Sequence, residues 1–259
     1  RPGGRGGVNL RAAWSLAKPV PRAIPGNPPL PGGGSHRNAI PIYDFPNERV
    51  TNRLVRTAPL RISSLRSLGA HANVFAIESF MDELAHEAAV DPVEFRLRHL
   101  KDTRARAVIE KVASLAGWRP NESGNGERGR GLGFARYKNA GCYVAVIAEV
   151  QVGETVRVSK AWCAVDVGQV INLDGVVNQI EGGIVQTVSW TLKERAVYDR
   201  NGVTSLNWDS YPILTFPEVP QVEVAIIDRP ELPPLGAGEG TQGPTSAAIG
   251  NALHNALKV

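Results

Sequence analysis

Residues 233–246 read Pro-Pro-Leu-Gly-Ala-Gly-Glu-Gly-Thr-Gln-Gly-Pro-Thr-Ser, and they are the most informative stretch of this 259-residue chain. The stretch places one carboxylate, Glu239, among four glycines, and Pro244 then opens an alanine-rich segment that predicts a helix. Glycines let a bulky ligand approach the main chain, and a helix N-terminus presents unpaired N–H groups to an anion. A carboxylate fixed there is a candidate general base. The simpler alternative is a tight turn that leaves Glu239 in solvent.

Three further segments precede this loop in the chain. They are Leu-Arg-Ser-Leu-Gly at 65–69, Phe-Ala-Ile-Glu-Ser-Phe-Met-Asp-Glu-Leu-Ala at 75–85, and Asp-Val-Gly-Gln-Val-Ile-Asn through Asn-Gln-Ile-Glu-Gly-Gly at 166–183. With Gly-Ala-Gly-Glu at 236–239, and in this order, they resemble the molybdopterin-binding large subunits of the xanthine dehydrogenase/aldehyde oxidase family. The resemblance runs from about residue 38 to near the C-terminus. It is closest to bacterial isoquinoline- and nicotinate-type dehydrogenase subunits.

The resemblance implies a fold, a cofactor and a reaction. The fold is α+β, with mixed and antiparallel sheets against packed helices, and it binds a molybdenum–pyranopterin cofactor, for which the cytosine dinucleotide is one candidate form. In such subunits a glutamate of the Gly-x-Gly-Glu loop removes a proton from the nucleophile that attacks an electron-poor carbon. Electrons then leave through iron–sulfur clusters on a partner chain. The implied activity is therefore the oxidative hydroxylation of an aldehyde or an N-heteroaromatic substrate.

Five positions of the family's site are carried over by motif. Glu239 corresponds to the base, whose task requires a partly desolvated carboxylate within hydrogen-bond reach of the nucleophile. Gly236 and Gly238 would let the loop approach the cofactor, and Gln179 would hydrogen-bond it without adding charge. Arg66, from the family's Phe-Arg-x-x-Gly turn, would lie at the cofactor and either orient a substrate heteroatom or neutralise negative charge. Without the flanking motifs, Gln179 and Arg66 would be interpreted as surface residues.

Two departures from the family's pattern concern the substrate pocket and the cofactor cage. Leu65 stands where the family has phenylalanine, and Leu68 occupies a position that is often aromatic. We therefore expect Leu68 and Arg66 to border an aliphatic substrate pocket. The family's Met-Gly-Gln-Gly cofactor motif does not occur in this sequence. For that reason we expect the chain to be a C-terminal part of the large subunit, with the rest of the cofactor cage upstream.

The composition bears on whether this chain could bind a metal ion or an iron–sulfur cluster. The sequence has 42% hydrophobic and 21% charged residues, as globular proteins do. Its two cysteines, Cys142 and Cys163, are too few for a cysteine-ligated iron–sulfur cluster or zinc site. The five histidines show no metal-ligand spacing. Both cysteines lie in apolar runs that predict buried thiols, while a disulfide between them stays open at this point.

Neither nucleic acid nor a membrane is a predicted partner. The net charge is +4, and the densest basic group is predicted to form a solvated face because acidic residues accompany it: Arg96, Arg98, His99, Lys101, Arg104 and Arg106. The longest apolar run, 142–148, is far shorter than the ~20 residues of a membrane span. No signal peptide is visible in the sequence. The location expected from the resemblance is the cytoplasm. The periplasm is the alternative, because the resemblance includes large subunits that are exported with their partners.

Three parts are predicted along the chain: an extended Gly/Pro-rich segment at 1–37, a helical part at 38–120, and a C-terminal lobe at 121–259 with the Gly-x-Gly-Glu loop. Apolar spacing and capping residues predict helices at 73–89, from Asp91 onward, and at 103–116, 172–193 and 245–257. Alternating apolar residues predict strands near 49–62, 143–152, 156–167, 195–199, 203–207 and 221–228, with a polar linker at 119–130. Two glycines at 182–183, inside a predicted helix, indicate a close backbone contact.

Two functional hypotheses from different classes follow from the sequence. The first is the C-terminal part of a molybdenum hydroxylase catalytic subunit, which supplies the base and some of the cofactor contacts for a small-molecule substrate. The second is a non-catalytic fragment of the same family, which binds a partner subunit and is inactive without the N-terminal half. A binding module with a basic surface is a third, but the scattered charges give it little support.

Overall fold

A computed structural model describes residues 17–18, 34–53, 55 and 65–258 of the chain. The helices are α1 (Ala70–Glu87), α2 (Pro92–Arg98), α3 (Thr103–Ala116), α4 (Leu173–Leu192) and α5 (Gln242–Leu257). The strands are β1 (Arg128–Arg136), β2 (Tyr143–Val152), β3 (Val156–Asp166), β4 (Tyr198–Asp199), β5 (Gly202–Val203) and β6 (Gln221–Ile227). Most of the segment predicted to be extended, 1–37, lies outside the described residues. Of the strand predicted at 49–62, the described residues 49–53 and 55 form no strand, and the others also lie outside.

A four-stranded mixed sheet in the order β1-β2-β3-β6 forms the centre of the fold. The first three strands are antiparallel, and β6 pairs with β3 in parallel. Side chains along β2 alternate between two cores, as the two-residue period of a strand requires. Val144 and Val146 belong to the core that α4 and α5 cover. Tyr143, Ala145 and Ile147 belong to the core that α2, α3 and most of α1 cover. The predicted α+β fold is therefore confirmed.

Local capping signals explain why the predicted α2 and α3 agree with the structure, whereas α1 and α5 each begin three residues before their predicted starts at 73 and 245. The Asp91 carboxylate accepts hydrogen bonds from the backbone N–H groups of Val93 and Glu94 at the start of α2. Asp102 does the same for α3, which ends at Gly117 in the left-handed conformation (φ 58°) that glycine adopts freely. Among the described residues, no helix is both long and apolar enough to traverse a lipid bilayer.

Strand β1 is not predicted by the sequence, and part of it falls in the predicted polar linker. Its glycines alternate along one face, where helix α5 packs directly against the strand. An added Cβ would lie 2.4 Å from the Ala252 carbonyl oxygen at Gly129, 2.2 Å from the Ala252 nitrogen at Gly131, and 2.2 Å from the Pro244 carbonyl oxygen at Gly133. Glycine is required by this close approach of two backbones. The strand therefore lacks the apolar alternation by which strands are predicted.

Replacing Gly131 by alanine is expected to lower the free energy of unfolding by about 1–3 kcal/mol, because the new methyl group would overlap the backbone of α5. Gly153→Ala is the matched control. A Cβ at Gly153 meets nothing within 4 Å, so this change should stay within about 0.5 kcal/mol of the parent. Urea unfolding of both variants measures the difference. Equal stability of the two variants would contradict the proposed contact between β1 and α5.

The prediction of a solvated basic face is wrong for two residues, Arg96 and Arg104. Arg96 is fully buried, and its guanidinium contacts the carboxylates of Glu78 and Asp82. Arg104 reaches from α3 to Asp166 at the end of β3, with 3.0 Å between Arg104 Nε and Asp166 Oδ2. The sequence gives no sign of these pairings because each partner lies far along the chain. Arg98, in contrast, is exposed and pairs only with Glu94 one turn away.

The two cysteines are buried free thiols, as the apolar runs around them predict. They do not form a disulfide. Burial raises the pKa of the Cys142 thiol to about 12 and also raises the pKa of Cys163, so both stay protonated at neutral pH. In the described part of the chain, no three His, Cys, Asp or Glu side chains are grouped so that they could hold a metal ion.

Candidate active site

The turn that carries Arg66 lies directly before α1. Ser67 and Leu68 both have positive φ angles, 71° and 53°, which residues with a side chain rarely adopt. The turn is closed by a hydrogen bond of 2.9 Å from the Leu68 nitrogen to the Leu65 carbonyl oxygen. A Cβ at Gly69 would lie 2.4 Å from the Gly34 carbonyl oxygen, so only glycine fits there. This strained turn is thus held by its surroundings, as is common at functional sites.

The Glu239 carboxylate is held at both oxygens by residues from two other parts of the chain. The Ser67 N–H donates to Oε1 at 3.1 Å, and the Tyr137 hydroxyl donates to Oε2 at 2.5 Å. Ser67 Oγ also donates to the Glu239 carbonyl oxygen at 3.2 Å. Arg37 Nη1 lies 3.9 Å from Oε2, and the Glu239 side chain is 36% exposed. The carboxylate is therefore fixed in place yet open to a reactant.

Arg66 connects the Glu239 loop to helix α4. Its Nε donates to the Gly238 carbonyl oxygen at 2.6 Å, and its Nη2 donates to the Gln179 carbonyl oxygen and Oε1 at 3.1 and 2.9 Å. Nη1 donates to Gln186 Oε1 at 3.2 Å. Burial lowers the pKa of Arg66 below its ordinary 12.5, whereas the nearby Glu239 charge raises it. Arginine stays protonated in proteins, so the site contains a permanent cation.

Helix α4 approaches the Glu239 loop closely enough to bring Gln179 beside it. A Cβ at Gly183 would lie 2.0 Å from Thr241 Oγ1, so a close contact occurs at this one of the two glycines, although its partner is a side chain and not the predicted backbone. A Cβ at Gly182 would meet nothing within 4 Å. Gln179 is an exposed residue on the turn of α4 that faces Gly238, where its Oε1 would lie 3.6 Å from an added Cβ.

The four glycines around Glu239 fall into two pairs, and none of them has a positive φ. At Gly240 an added Cβ would overlap Cys142 Sγ at 2.6 Å, and at Gly243 it would overlap a side chain of α1 at 2.5 Å. Those two glycines are required by packing. Among the described residues, nothing lies within 4 Å of a Cβ added at Gly236, and only Gln179 Oε1 lies within 4 Å of one added at Gly238. The loop is therefore open on the side where Arg66 and Gln179 lie.

The motif that begins at Asp166 determines how β3 leads into α4. Arg229 Nε and the Gly168 N–H donate to the Asp166 carboxylate at 2.6 and 2.9 Å, in addition to the bond from Arg104. Burial would raise the pKa of Asp166, but these hydrogen bonds outweigh it and hold the pKa below its usual 3.8. Asn172 then caps α4 by accepting from the Gly175 N–H at 2.7 Å. The role of this motif is to position the helix that carries Gln179.

A groove of ≈ 220 Å³ lies on the other side of the Arg66 turn. Its lining combines aliphatic, aromatic and charged side chains: Leu65, Arg66, Leu68, His71, Trp190, Glu194 and Tyr211. The rings of His71 and Trp190 meet edge to face with centroids 5.5 Å apart, and burial lowers the pKa of His71, which favours the neutral imidazole. The aliphatic residues expected from the sequence thus face aromatic side chains from α4 and from the segment after β5.

Sequence reasoning missed four residues that hold the site together. Ser67, Tyr137 and Arg37 surround the Glu239 carboxylate, as described above. The fourth is Gln242, a fully buried residue at the start of α5. With its amide oriented to satisfy both neighbours, its nitrogen donates to the Glu239 carbonyl oxygen (3.1 Å) and its oxygen accepts from Arg66 Nε (2.9 Å). Gln242 could have been noticed as the only amide side chain in 233–246, whereas Tyr137 follows a strand that gave no signal.

Comparison with known families gives a match over more than half of the chain. Residues 57–220 match a family model described as a molybdopterin cofactor-binding domain. The matched range contains Arg66 and Gln179 and ends before Glu239.

Two sequence relatives cover most of the chain. It is 40% identical over 240 residues to the B chain of nicotinate dehydrogenase from Pseudomonas putida, a match that covers 86% of this chain and 20% of that protein. It is 35% identical over 220 residues to the beta chain of isoquinoline 1-oxidoreductase from Brevundimonas diminuta, a match that covers 83% of this chain and 27% of that protein. The chain therefore spans about a fifth to a quarter of the length of these relatives.

A solved structure shares the fold. Aldehyde oxidoreductase from Desulfovibrio gigas superimposes with a TM-score of 0.61 over 76% of this chain and 40% of that one. The two sequences are 13% identical over the superimposed part, so the likeness concerns the arrangement of helices and strands.

Proposed function

We propose that this chain is the C-terminal part of a molybdenum hydroxylase catalytic subunit. The reason is that the chain belongs to the molybdopterin cofactor-binding domain family of the xanthine dehydrogenase/aldehyde oxidase type. The proposed reaction is the oxidative hydroxylation of an aldehyde or an N-heteroaromatic compound, with water as the source of oxygen. An iron–sulfur subunit takes the electrons, and the upstream part of the large subunit completes the cofactor site. We propose a cytoplasmic location, with the periplasm as the alternative.

One observation carries this proposal. Gln179 and Gly238 follow Arg66 by 113 and 172 residues, yet the Arg66 guanidinium contacts both of them, and Gly238 is the neighbour of Glu239. Arg66, Gln179 and Gly238, which the proposed cofactor site requires to be neighbours, are therefore in contact although they lie far apart in the sequence. A solvated Glu239 turn, the simpler alternative from the sequence, would not require Ser67 and Tyr137 to hold the carboxylate at both oxygens.

The residues around Glu239 fit the molybdenum–pyranopterin cofactor in their chemistry. In the described part of the chain no group accepts a hydrogen bond from the Gln179 amide nitrogen, which leaves that donor for a ligand. Gly236 and Gly238 leave the loop open beside it, and Arg66 supplies a positive charge for an anionic group. The cofactor, when bound, supplies two-electron oxidation of the substrate. The cytosine dinucleotide form is part of the proposal.

The roles of the individual residues follow from this arrangement. Glu239 accepts the proton of the nucleophile, since a half-buried carboxylate held at both oxygens can take a proton without reorganising. Arg66 fixes the loop through the Gly238 carbonyl oxygen and Gln179 through its amide oxygen. Arg66 and Leu68 also border the groove that leads away from the turn, where the substrate is proposed to lie.

The groove beside Leu68 supports a flat substrate. Trp190 and Tyr211 provide aromatic side chains, and the neutral His71 adds a polar ring without charge. Two relatives are named for nicotinate and isoquinoline, which are N-heteroaromatic compounds. These points favour a heteroaromatic substrate within the proposed class, with an aldehyde as the alternative.

Molybdenum analysis of the full-length protein tests the proposal. The protein and its partner subunits would be produced in a host that makes the cofactor, and molybdenum would be measured by mass spectrometry. Stoichiometric molybdenum is expected, because Arg66, Gln179 and Gly238 are proposed to contact the cofactor. A complex without molybdenum would overturn the proposal in favour of the non-catalytic fragment that only binds a partner.

Two neighbouring residues on α4, Gln179 and Asn178, provide a variant and its matched control for this experiment. Gln179→Ala should weaken cofactor retention about five-fold, the effect of losing a hydrogen bond worth ~1 kcal/mol. Asn178→Ala is the matched control, because within the part of the chain that the structure describes its amide bonds only to Asp174 on the same helix. Equal molybdenum content in the two variants would remove Gln179 from the cofactor site.

A further inference from the structure

The contact between Tyr137 and Glu239 has a defined direction. Arg37 Nη1 donates to the Tyr137 hydroxyl oxygen at 2.7 Å, and an arginine can only donate. A tyrosine hydroxyl has one hydrogen, so that hydrogen must point to the other neighbour, Glu239 Oε2, at 2.5 Å. The order of donors is therefore Arg37 to Tyr137 to Glu239. The bond to Glu239 is charge-assisted when the carboxylate is ionised.

Tyr137 is held rigidly in a turn at the end of β1. The adjacent residues Lys138 and Asn139 have φ angles of 59° and 56°, which are costly for residues with side chains. The turn is stabilised from outside by Asn38, whose amide donates to the Arg136 carbonyl oxygen and accepts from the Lys138 N–H, both at 2.8 Å. Asn38 is next to Arg37 in the chain, so one short segment holds both the turn and the phenol.

We propose that Tyr137, oriented by Arg37, is a positioning residue that holds the Glu239 carboxylate aimed for proton transfer. The inference rests on the proposed function, in which Glu239 is the base. Oε1 is held by the Ser67 N–H and Oε2 by Tyr137, so the carboxylate cannot rotate without breaking one of these bonds. When Glu239 takes up a proton, its bond with Tyr137 loses the assistance of the charge. The arrangement therefore favours release of that proton to solvent before the next turnover.

The phenol stays a donor throughout the working range of pH. Burial and the hydrogen bond to Glu239 raise the pKa of Tyr137 well above its ordinary value of 10. The charged groups that face Glu239 are Arg37 at 3.9 Å and Arg66 through the Gly238 carbonyl oxygen. Both charges remain when the Tyr137 hydroxyl is removed, although Arg37 then loses the acceptor of its 2.7 Å hydrogen bond.

The test is Tyr137→Phe in the full-length, cofactor-loaded enzyme, since this change keeps the ring and removes only the hydroxyl. The acid limb of the kcat profile should move to higher pH by about one unit, because the ionised carboxylate loses a donor. At the optimum, kcat should fall about ten-fold with KM nearly unchanged. Tyr143→Phe is the matched control, because its hydroxyl donates to Asp102 and not to Glu239. Its profile should stay in place, and an unmoved acid limb in Tyr137→Phe would overturn the proposal.

A second measurement does not depend on turnover. Infrared difference spectra against pH follow protonation of the Glu239 carboxylate, with Glu239→Gln used to assign its band. The midpoint should move upward in Tyr137→Phe, which removes the donor to Oε2, and also in Arg37→Met, which removes a cation 3.9 Å from Oε2 and leaves the phenol unoriented. If the midpoint moves and Glu239→Gln remains active, the positioning role stands and the assignment of Glu239 as the base fails. If it moves in neither variant, the positioning role is wrong.

Discussion

Glu239→Gln in the full-length enzyme is expected to lower turnover by about 10²–10⁴-fold, the range over which a positioned general base contributes. Glutamine keeps the shape of the side chain, and its amide oxygen can still accept from the Ser67 N–H, while its amide nitrogen then faces the Tyr137 hydroxyl, which must turn to accept from it. It cannot take a proton at neutral pH. Molybdenum content and the thermal unfolding temperature should match those of the parent, because the carboxylate is not needed for either. Steady-state kinetics with metal analysis of the same preparation measure the effect.

The matched control for this change is Glu231→Gln, which makes the same substitution at an exposed position shortly before the glycine-rich loop. Its turnover should equal that of the parent. Normal turnover in Glu239→Gln would remove Glu239 as the base. Loss of molybdenum in that variant would instead assign the carboxylate to cofactor retention, which contradicts the proposed role in proton transfer.

Arg96→Met is expected to cost about 3–5 kcal/mol of unfolding free energy, because it leaves buried carboxylates without their cation. Arg96 Nε lies 2.9 Å from Glu78 Oε2, and Nη1 lies 2.6 Å from Asp82 Oδ1. The Tyr43 hydroxyl and the Phe134 N–H also donate to the Glu78 carboxylate. This polar cluster connects α1, α2 and β1 inside the core, so its loss affects all three. Urea unfolding followed by tryptophan fluorescence measures the change.

The loss of unfolding free energy in Arg96→Met should depend on pH in a defined direction. Burial already raises the pKa of Glu78 above its usual 4.5, and the loss of Arg96 would raise it further. An acid with a raised pKa in the folded state destabilises the fold as pH rises above its unfolded pKa. The loss of unfolding free energy relative to the parent should therefore be largest at neutral pH and become smaller as pH falls toward 4.5.

Arg98→Met, two residues further along α2, is the matched control for Arg96. Its guanidinium is exposed and pairs with Glu94 across one helical turn. Such pairs contribute about 0.3–0.5 kcal/mol, so the change should be small and nearly independent of pH. Equal losses in the two variants would show that the buried cluster is not what stabilises this part of the fold.

The sequence predicted the helices well and one strand not at all, for reasons that lie in particular residues. The carboxylates of Asp91 and Asp102 and the left-handed Gly117 act within a few residues of themselves, so their effect can be inferred locally. Gly129, Gly131 and Gly133 owe their presence in β1 to a helix more than a hundred residues later in the chain. No local pattern contains that information. Arg96 was placed among surface residues for the same reason.

The sequence by itself determined the family resemblance, the class of fold, the capped ends of α2 and α3, and the loop that carries Glu239. Motifs and caps determine these features because they act over short stretches of chain. Only the tertiary structure decided that Arg66 bonds to Gln179 and Gly238, and that Ser67, Tyr137 and Arg37 surround the carboxylate. That convergence depends on α5 packing against a glycine face of β1 and on α4 approaching the loop at Gly183. Contacts between distant segments are set by how whole elements pack, and the order of residues within one element does not specify them.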